Sequence, residues 1–450
     1  MNPPRRKIPF GLADLLAAKQ AGKLPIVAVV LCAFLFAVII YSEDIKSLAE
    51  LSFVRLKSND LFSRDLSNPS PNSTNSSQVE LSNEEEIEKR KKDVMFVDVP
   101  ASCDLSQGAW VFDNVSNPLY RERECEFLTS QVTCQKNGRA DDMYQKWRWQ
   151  PKDCALPKFD ARLFLERLRG KRFMFVGDSL NRNQWESMVC MLQSELSRRK
   201  KRITKEGNRV IFHAEEYRAT LEFYWAPFLV ESNSDDPEIH TILHRIIKPE
   251  SITGHAVHWK GVDFLVFNTY IWWMNTAKMR VRRPTAKDWS EYDEIIRIEA
   301  YERVLRTWSN WIGENVDPMK TSVFFMSISP LHINPEAWGN HEGIKCAKET
   351  LPVLDYKDPL ELWTDKRMFN LAANVTRSMS GVPVTFIDIT KVSEYRKDAH
   401  TSVYTIRQGK LLTPEQKADP AKYADCIHWC LPGLPDTWNL FLYSRILSKP

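Results

Sequence analysis

The chain has no glycine-rich loop of the kind that cradles nucleotide phosphates, and only 15 of its 450 residues are glycine. It has no internal repeat, so its length must be filled by one large domain, or two average ones, with appendages. No basic tract is long enough to grip nucleic acid. The 62 basic residues stand against 58 acidic ones, and a net charge of +4 reads as a mixed, solvated surface. At 43%, the hydrophobic content is that of an ordinary globular protein.

One apolar run stands out. Residues 24–41 carry no charge and span about 18 positions, near the lower limit for a helix that crosses a bilayer core. Arg5, Arg6, Lys7, Lys19 and Lys23 precede it, and Glu43 and Asp44 follow. The positive-inside rule then puts residues 1–23 in the cytosol and everything after 41 across the membrane. A cleavable signal peptide would have a shorter apolar core, and Tyr41-Ser42-Glu43-Asp44 is a poor small-residue cleavage site. The expectation is an uncleaved signal anchor.

Cysteine usage agrees with translocation. Beyond Cys32, eight cysteines remain (Cys103, Cys125, Cys134, Cys154, Cys190, Cys346, Cys426 and Cys430), enough for four disulfides among 105 pairings. Asn72, Asn75, Asn114 and Asn374 head glycosylation tripeptides. These residues indicate the secretory route without choosing among Golgi, endoplasmic reticulum and cell surface.

Residues 42–94 are polar, with a Ser/Asn/Pro stretch from Ser67 to Ser77 and a charged run from Glu84 to Lys92, as in a stem that tethers a domain. Residues 95–157 are dense in cysteine and charge, with Trp110, Trp147 and Trp149, and lack periodicity. Such units are usually held by disulfides more than by a core. From 158 onward the pattern is α/β. Helical spacing covers Phe159–Leu168, Leu180–Leu196, Glu291–Ile312 and Leu360–Arg377. Strand-like apolar runs cover Arg172–Val176, Thr220–Trp225, Val262–Asn268, Ser322–Ser327 and Val384–Asp388. Continuous apolar strands alternating with helices predict a parallel sheet flanked by helices, with a site at the carboxyl ends of the strands.

Two short motifs carry chemistry. In Phe173-Met174-Phe175-Val176-Gly177-Asp178-Ser179, a serine sits where an apolar strand turns into a helix. That placement exposes its hydroxyl and aims a positive helix end at any oxyanion that forms. A serine still needs a base to take its proton. Asp425-x-x-His428 supplies one, its carboxylate holding the imidazole from a single helical or looped turn. Together, Ser179, His428 and Asp425 imply acyl transfer through a seryl ester. Cys426 and Cys430 flank the histidine. A metal site would need further Cys or His at short spacing, so disulfides that fix the loop are the expectation.

The blocks Phe175–Ser187 and Asp425–Asn439 resemble those of the plant trichome birefringence-like family, polysaccharide O-acetyltransferases of the Golgi. The resemblance runs from about Cys103 to the end of the chain. It implies an SGNH-esterase-like α/β fold, with Ser179 as nucleophile, His428 as base and Asp425 as its partner. Such esterases complete the oxyanion hole with a glycine and an asparagine, which makes Gly177, Asp178 and Asn268 candidates. The segment Val266–Asn275 also matches, and Tyr270-Ile271, where other members often have Gly-His, resembles the xylan-acetylating branch. Arg182, Trp272 and Trp273 are the candidate substrate contacts, since an indole can stack on the C–H face of a pyranose; Trp338 is a weaker one. Core packing is the bland alternative for the tryptophans.

The resemblance implies a single-pass type II Golgi membrane protein with a lumenal catalytic domain that acetylates xylan at 2-O or 3-O. Its partners are then xylan, an acetyl donor (acetyl-CoA is one candidate) and the membrane; no bound cofactor or metal is expected. The rivals are another wall polysaccharide as acceptor (mannan, xyloglucan or pectin), a polysaccharide acetylesterase using water, and a non-catalytic wall-polymer binding protein.

Overall fold

The computed structural model describes residues 99–448 apart from 101, 240–243, 275, 356–359, 361 and 363. The expected tail, anchor and stem, with Asn72 and Asn75, lie outside the described residues. Among those described, no helix is long and apolar enough to cross a membrane.

The central sheet has seven strands. In chain order the elements that build and cover it are α1 (Ala161–Arg167), β1 (Arg172–Gly177), α2 (Ser179–Leu192), β2 (Lys201–Glu206), β3 (Arg209–Ala214), β4 (Ala219–Trp225), β5 (Phe264–Asn268), α3 (Arg297–Asn315), β6 (Ser322–Met326), α4 (Lys366–Ser378), β7 (Val384–Ile387) and α5 (Leu434–Leu447). Strand order is β7-β6-β5-β1-β4-β3-β2. The first five are parallel to one another, while β3 and β2 run antiparallel at one edge. The sheet is therefore mixed, not wholly parallel. The sequence reading omitted the β2–β3 hairpin because Lys201–Glu206 is a charged, half-exposed edge strand, not an apolar run.

The sheet is covered on both faces, which is why its parallel strands read as unbroken apolar runs. Phe264 meets Phe173, which packs on Phe164 of α1; Phe267, on the opposite face of the same strand, packs on Trp308 of α3. Helix α5 lies against α2 and α1. The expected helix from Glu291 starts later: Tyr292–Ile296 is a strand paired with Lys278–Arg282, and α3 begins at Arg297.

Residues 102–157 are mostly irregular. Their one ladder pairs Gly108–Phe112 with Trp147–Pro151, and a side chain on Gly108 would collide with the Gln150 carbonyl at 2.2 Å. The eight cysteines form four disulfides: Cys103–Cys154, Cys125–Cys190, Cys134–Cys430 and Cys346–Cys426. Only the first is internal to this segment; the next two bind it to α2 and to the chain just before α5. Trp110 donates to the Val392 carbonyl (2.9 Å), and Arg139 donates to the carbonyls of Asp398 (2.8 Å) and His400 (3.1 Å).

Candidate active site

Ser179 opens α2 at the carboxyl end of β1, beside the end of β5. Gly177 pairs with Asn268, and any Cβ there would lie 2.1 Å from the Asn268 carbonyl oxygen, so only glycine lets the two strands meet at this point. Asp178 caps α2 by accepting from the Leu180 N–H at 2.9 Å. Asn181 donates to the carbonyls of Val176 (2.9 Å) and Val266 (3.1 Å), locking the helix onto both strand ends. Asn183 accepts from the Trp429 N–H (2.8 Å) and donates to the Trp429 carbonyl (3.2 Å). The residues around the serine thus also hold the strand that carries the histidine.

That strand, β9 (Asp425–Trp429), pairs antiparallel with β8 (His400–Ser402), and the register shifts along the pair. The sequence reading placed Asp425 and His428 on a helical or looped turn; they lie on this strand. On a regular strand, positions three apart would point to opposite faces. Here Asp425 Oδ1 accepts from the N–H groups of Ile427 (3.0 Å) and His428 (3.1 Å), curling the backbone so that the two side chains meet. Asp425 Oδ2 lies 2.7 Å from His428 Nδ1, and His428 Nε2 lies 2.7 Å from Ser179 Oγ. Burial alone would raise the Asp425 carboxyl, but the His428 ring and the two N–H donors outweigh it and hold the group well below the usual carboxylate range. With Nδ1–H donated to a carboxylate, Nε2 is left to accept the serine proton.

His428 is held from behind as well. His400 Nδ1 lies 3.1 Å from the His428 carbonyl, its other nitrogen lies 2.8 Å from His332, and its ring stacks on Trp429 at 3.7 Å. Burial lowers both inner histidines, His332 to about 4, which favours them as neutral packing groups behind His428.

Ser179 and His428 open onto a cleft of about 1070 Å³. Arg182 lines it, donating to Gln131 Oε1 at 2.6 Å. Trp272 lines it too, though only 6% exposed. Trp273 is fully buried: its N–H goes to Thr269 Oγ1 and its ring packs on Phe228 and Tyr301. It belongs to the core, because Ile271–Trp273 form a 3₁₀ turn, not an alternating strand end. Trp338 donates to Glu349 and stacks edge-on against His332, outside the cleft.

The three oxyanion candidates sit at the paired ends of β1 and β5 beside Ser179, and each also has a structural role. Asn268 Nδ2 donates to the Ser327 carbonyl at 3.1 Å. Asp178 is an acceptor whose cap already takes the Leu180 N–H, and burial pushes its carboxyl up to about 6. Gly177 is a packing glycine. Sequence reasoning passed over Gln131, Trp225, Arg245, Arg407, Lys410 and Tyr423, which also line the cleft. Apart from Arg407 and Lys410, which share one hairpin, they come from separate segments, and only the fold collects them. Among the described residues, no group of three or more His, Cys, Asp or Glu could hold a metal ion.

Comparison with known proteins covers almost all of the described chain. A family model described as PC-Esterase, the GDSL/SGNH-like acyl-esterase family found in Pmr5 and Cas1p, matches residues 156–445. A second, the PMR5 N terminal domain, matches residues 101–155. Xylan O-acetyltransferase 2 of Oryza sativa subsp. japonica is 68% identical over 356 residues, 79% of this chain and 71% of that protein. Xylan O-acetyltransferase 4 from the same source is 57% identical over 448 residues, 98% of this chain and 89% of the relative. Protein trichome birefringence-like 3 of Arabidopsis thaliana is 42% identical over 438 residues, 94% and 96% of the two chains.

Proposed function

We propose, from the premise that this chain belongs to the GDSL/SGNH-like acyl-esterase family found in Pmr5 and Cas1p, that it transfers acetyl groups to the 2-O or 3-O hydroxyls of xylosyl residues in xylan. The observation that carries the reading is the continuous Asp425–His428–Ser179 relay, with contacts of 2.7 Å, at the wall of an open cleft. The relatives named xylan O-acetyltransferases supply the acceptor.

In the first half-reaction Ser179 Oγ attacks the acetyl carbonyl while His428 Nε2 takes its proton. The tetrahedral intermediate collapses, the bond to the leaving group breaks, and His428 returns the proton to that group. In the second, a xylosyl hydroxyl gives its proton to His428 as its oxygen attacks the acetyl-serine; collapse frees Ser179 Oγ, which takes the proton back. Asp425 stabilises the imidazolium in both steps. Ser179 is the first residue of α2, so the positive end of that helix lies beside each oxyanion.

The acetyl donor is unassigned, acetyl-CoA being one candidate. The four disulfides favour an oxidising compartment. With the apolar run at 24–41 they support a single-pass type II protein of the Golgi membrane, its catalytic domain lumenal and its exposed Asn114 and Asn374 open to glycosylation.

The test incubates the protein with an acetyl donor and de-acetylated xylo-oligosaccharides and records product masses, with Ser179→Ala alongside. Acetylated oligosaccharide from the wild type alone supports the reading. Free acetate without sugar ester makes the protein an esterase, and binding without either product makes it a wall-polymer binding protein.

A further inference from the structure

The charge on the cleft walls is one-sided. Arg182, Arg245, Arg407 and Lys410 line it, and among the described lining residues there is no aspartate or glutamate. The chain as a whole is nearly balanced, 62 basic residues to 58 acidic, so four cations and no acid among the described lining residues mark this surface off from the rest.

The three arginines are also held in place. Arg182 is tied to Gln131 at 2.6 Å, with the buried Glu186 carboxylate 3.7 Å from its Nε. Arg245 lies with its guanidinium carbon 3.8 Å over the Trp272 ring and donates to the Trp272 carbonyl. Arg407 donates to the Lys422 carbonyl at 3.2 Å and faces the Tyr423 ring at 5.4 Å. Lys410 is exposed on the strand paired with that of Arg407. Guanidinium groups stacked on rings and anchored to carbonyls lose little freedom on binding, and cleft walls of one sign concentrate the field on a charged ligand. A neutral polymer of xylose can accept hydrogen bonds from such groups, but it offers no charge to complement them.

We propose that this cleft holds an anionic group, a carboxylate or a phosphate, belonging to one of the two substrates that meet at Ser179. The chemistry has two sources: a uronic-acid side group on the acceptor chain, or the phosphates of an activated acetyl donor. The inference rests on Ser179 being the acyl-accepting residue, and it adds a charged recognition element to that reading.

The test measures binding, so that it stands apart from turnover. The full chain carrying Ser179→Ala is titrated with coenzyme A, with a xylo-oligosaccharide bearing one uronic acid, and with the same oligosaccharide after reduction of that acid to an alcohol. Tryptophan fluorescence, which Trp272 and Trp225 should report, follows binding at low and high salt. At least one anionic probe should bind about 10-fold or more tightly than the neutral sugar, with a preference that shrinks as salt rises. Adding Arg407→Gln and Lys410→Gln should reduce that anion-to-neutral ratio several-fold; Arg182→Gln, on a different element, should act in the same direction. Preference for coenzyme A assigns the subsite to the donor, and preference for the acidic sugar assigns it to the acceptor. No preference for either anion, or a preference that these variants leave intact, overturns the subsite. Anion preference in a protein that transfers no acetyl group would sink the proposed function and leave the subsite standing; efficient transfer without anion preference would do the reverse.

Discussion

The α/β body and the cysteine-rich segment at 102–157 are both well packed, yet they are built by different means. In the body, apolar strands and helices bury continuous faces, and neighbours in the sequence determine most of each element. In the segment, Trp110 and Tyr144 are buried like core residues, but they are tied to partners hundreds of positions away, Trp110 to the Val392 carbonyl and the Tyr144 carbonyl to Arg396. The site divides along the same line. Ser179 comes from the body, at a strand-to-helix turn that its own neighbours dictate. His428 lies on a short strand that is bound to the segment through Cys134–Cys430 and through Arg139 on the His400 carbonyl. The nucleophile is positioned by local rules, the base by long-range ties.

The largest expected effect tests the body's half. Ser179→Ala should lower acetyl transfer by about 1000-fold or more while leaving the melting temperature close to wild type. Comparable activity in the variant would remove Ser179 from the chemistry altogether.

Next comes the junction. Arg396 is buried with Asp398 at 2.9 Å and also donates to the Tyr144 carbonyl, so Arg396→Met strands a buried carboxylate. We expect a loss of about 3–5 kcal/mol in denaturant unfolding. A near-neutral result would mean that the segment is held by its disulfides alone.

Replacing both Cys134 and Cys430 by serine should cost about 2–4 kcal/mol and should also slow transfer, because the strand bearing His428 ends beside Cys430. Lost stability with unchanged turnover would show that the Asn183–Trp429 clamp positions the base unaided.

The smallest effect is in pH dependence. Asp436 accepts from Ser187 of the body (2.5 Å) and from Tyr120 of the segment (3.0 Å), and burial raises its carboxyl from 3.8 to about 6. A raised carboxyl favours the folded state most below pH 4; that contribution fades as pH climbs to about 6 and is absent above. Asp436→Asn should flatten the stability profile across that window, by on the order of 2–3 kcal/mol. An unchanged profile would place the carboxyl in water.

The same division explains what could be read from the sequence. The five parallel strands were visible because each is an apolar run, and the Ser179 turn because the first of them leads straight into a helix pattern. The Asp425-x-x-His428 pair was visible as residue types but not as a strand, since its curl depends on carboxylate-to-backbone bonds that spacing does not encode. Charge hid the edge strand β2. The adjacent tryptophans misled because a 3₁₀ turn buries one of them completely. Arg245 and Gln131 had no signal at all: nothing nearby in the chain marks them, and they reach the cleft only once the fold has formed.

The Cys134–Cys430 bridge also limits how such a chain can change over generations. Two family segments meet between residues 155 and 156, a natural place for genes to exchange parts. Yet an esterase segment inherited without its N-terminal companion would carry Cys190 and Cys430 as orphan thiols, the second only two residues from His428. A hybrid of two parents survives only where both halves bring cysteines that match. For recombination, the seam in the sequence is not a seam in the protein, and the two segments travel as one heritable unit.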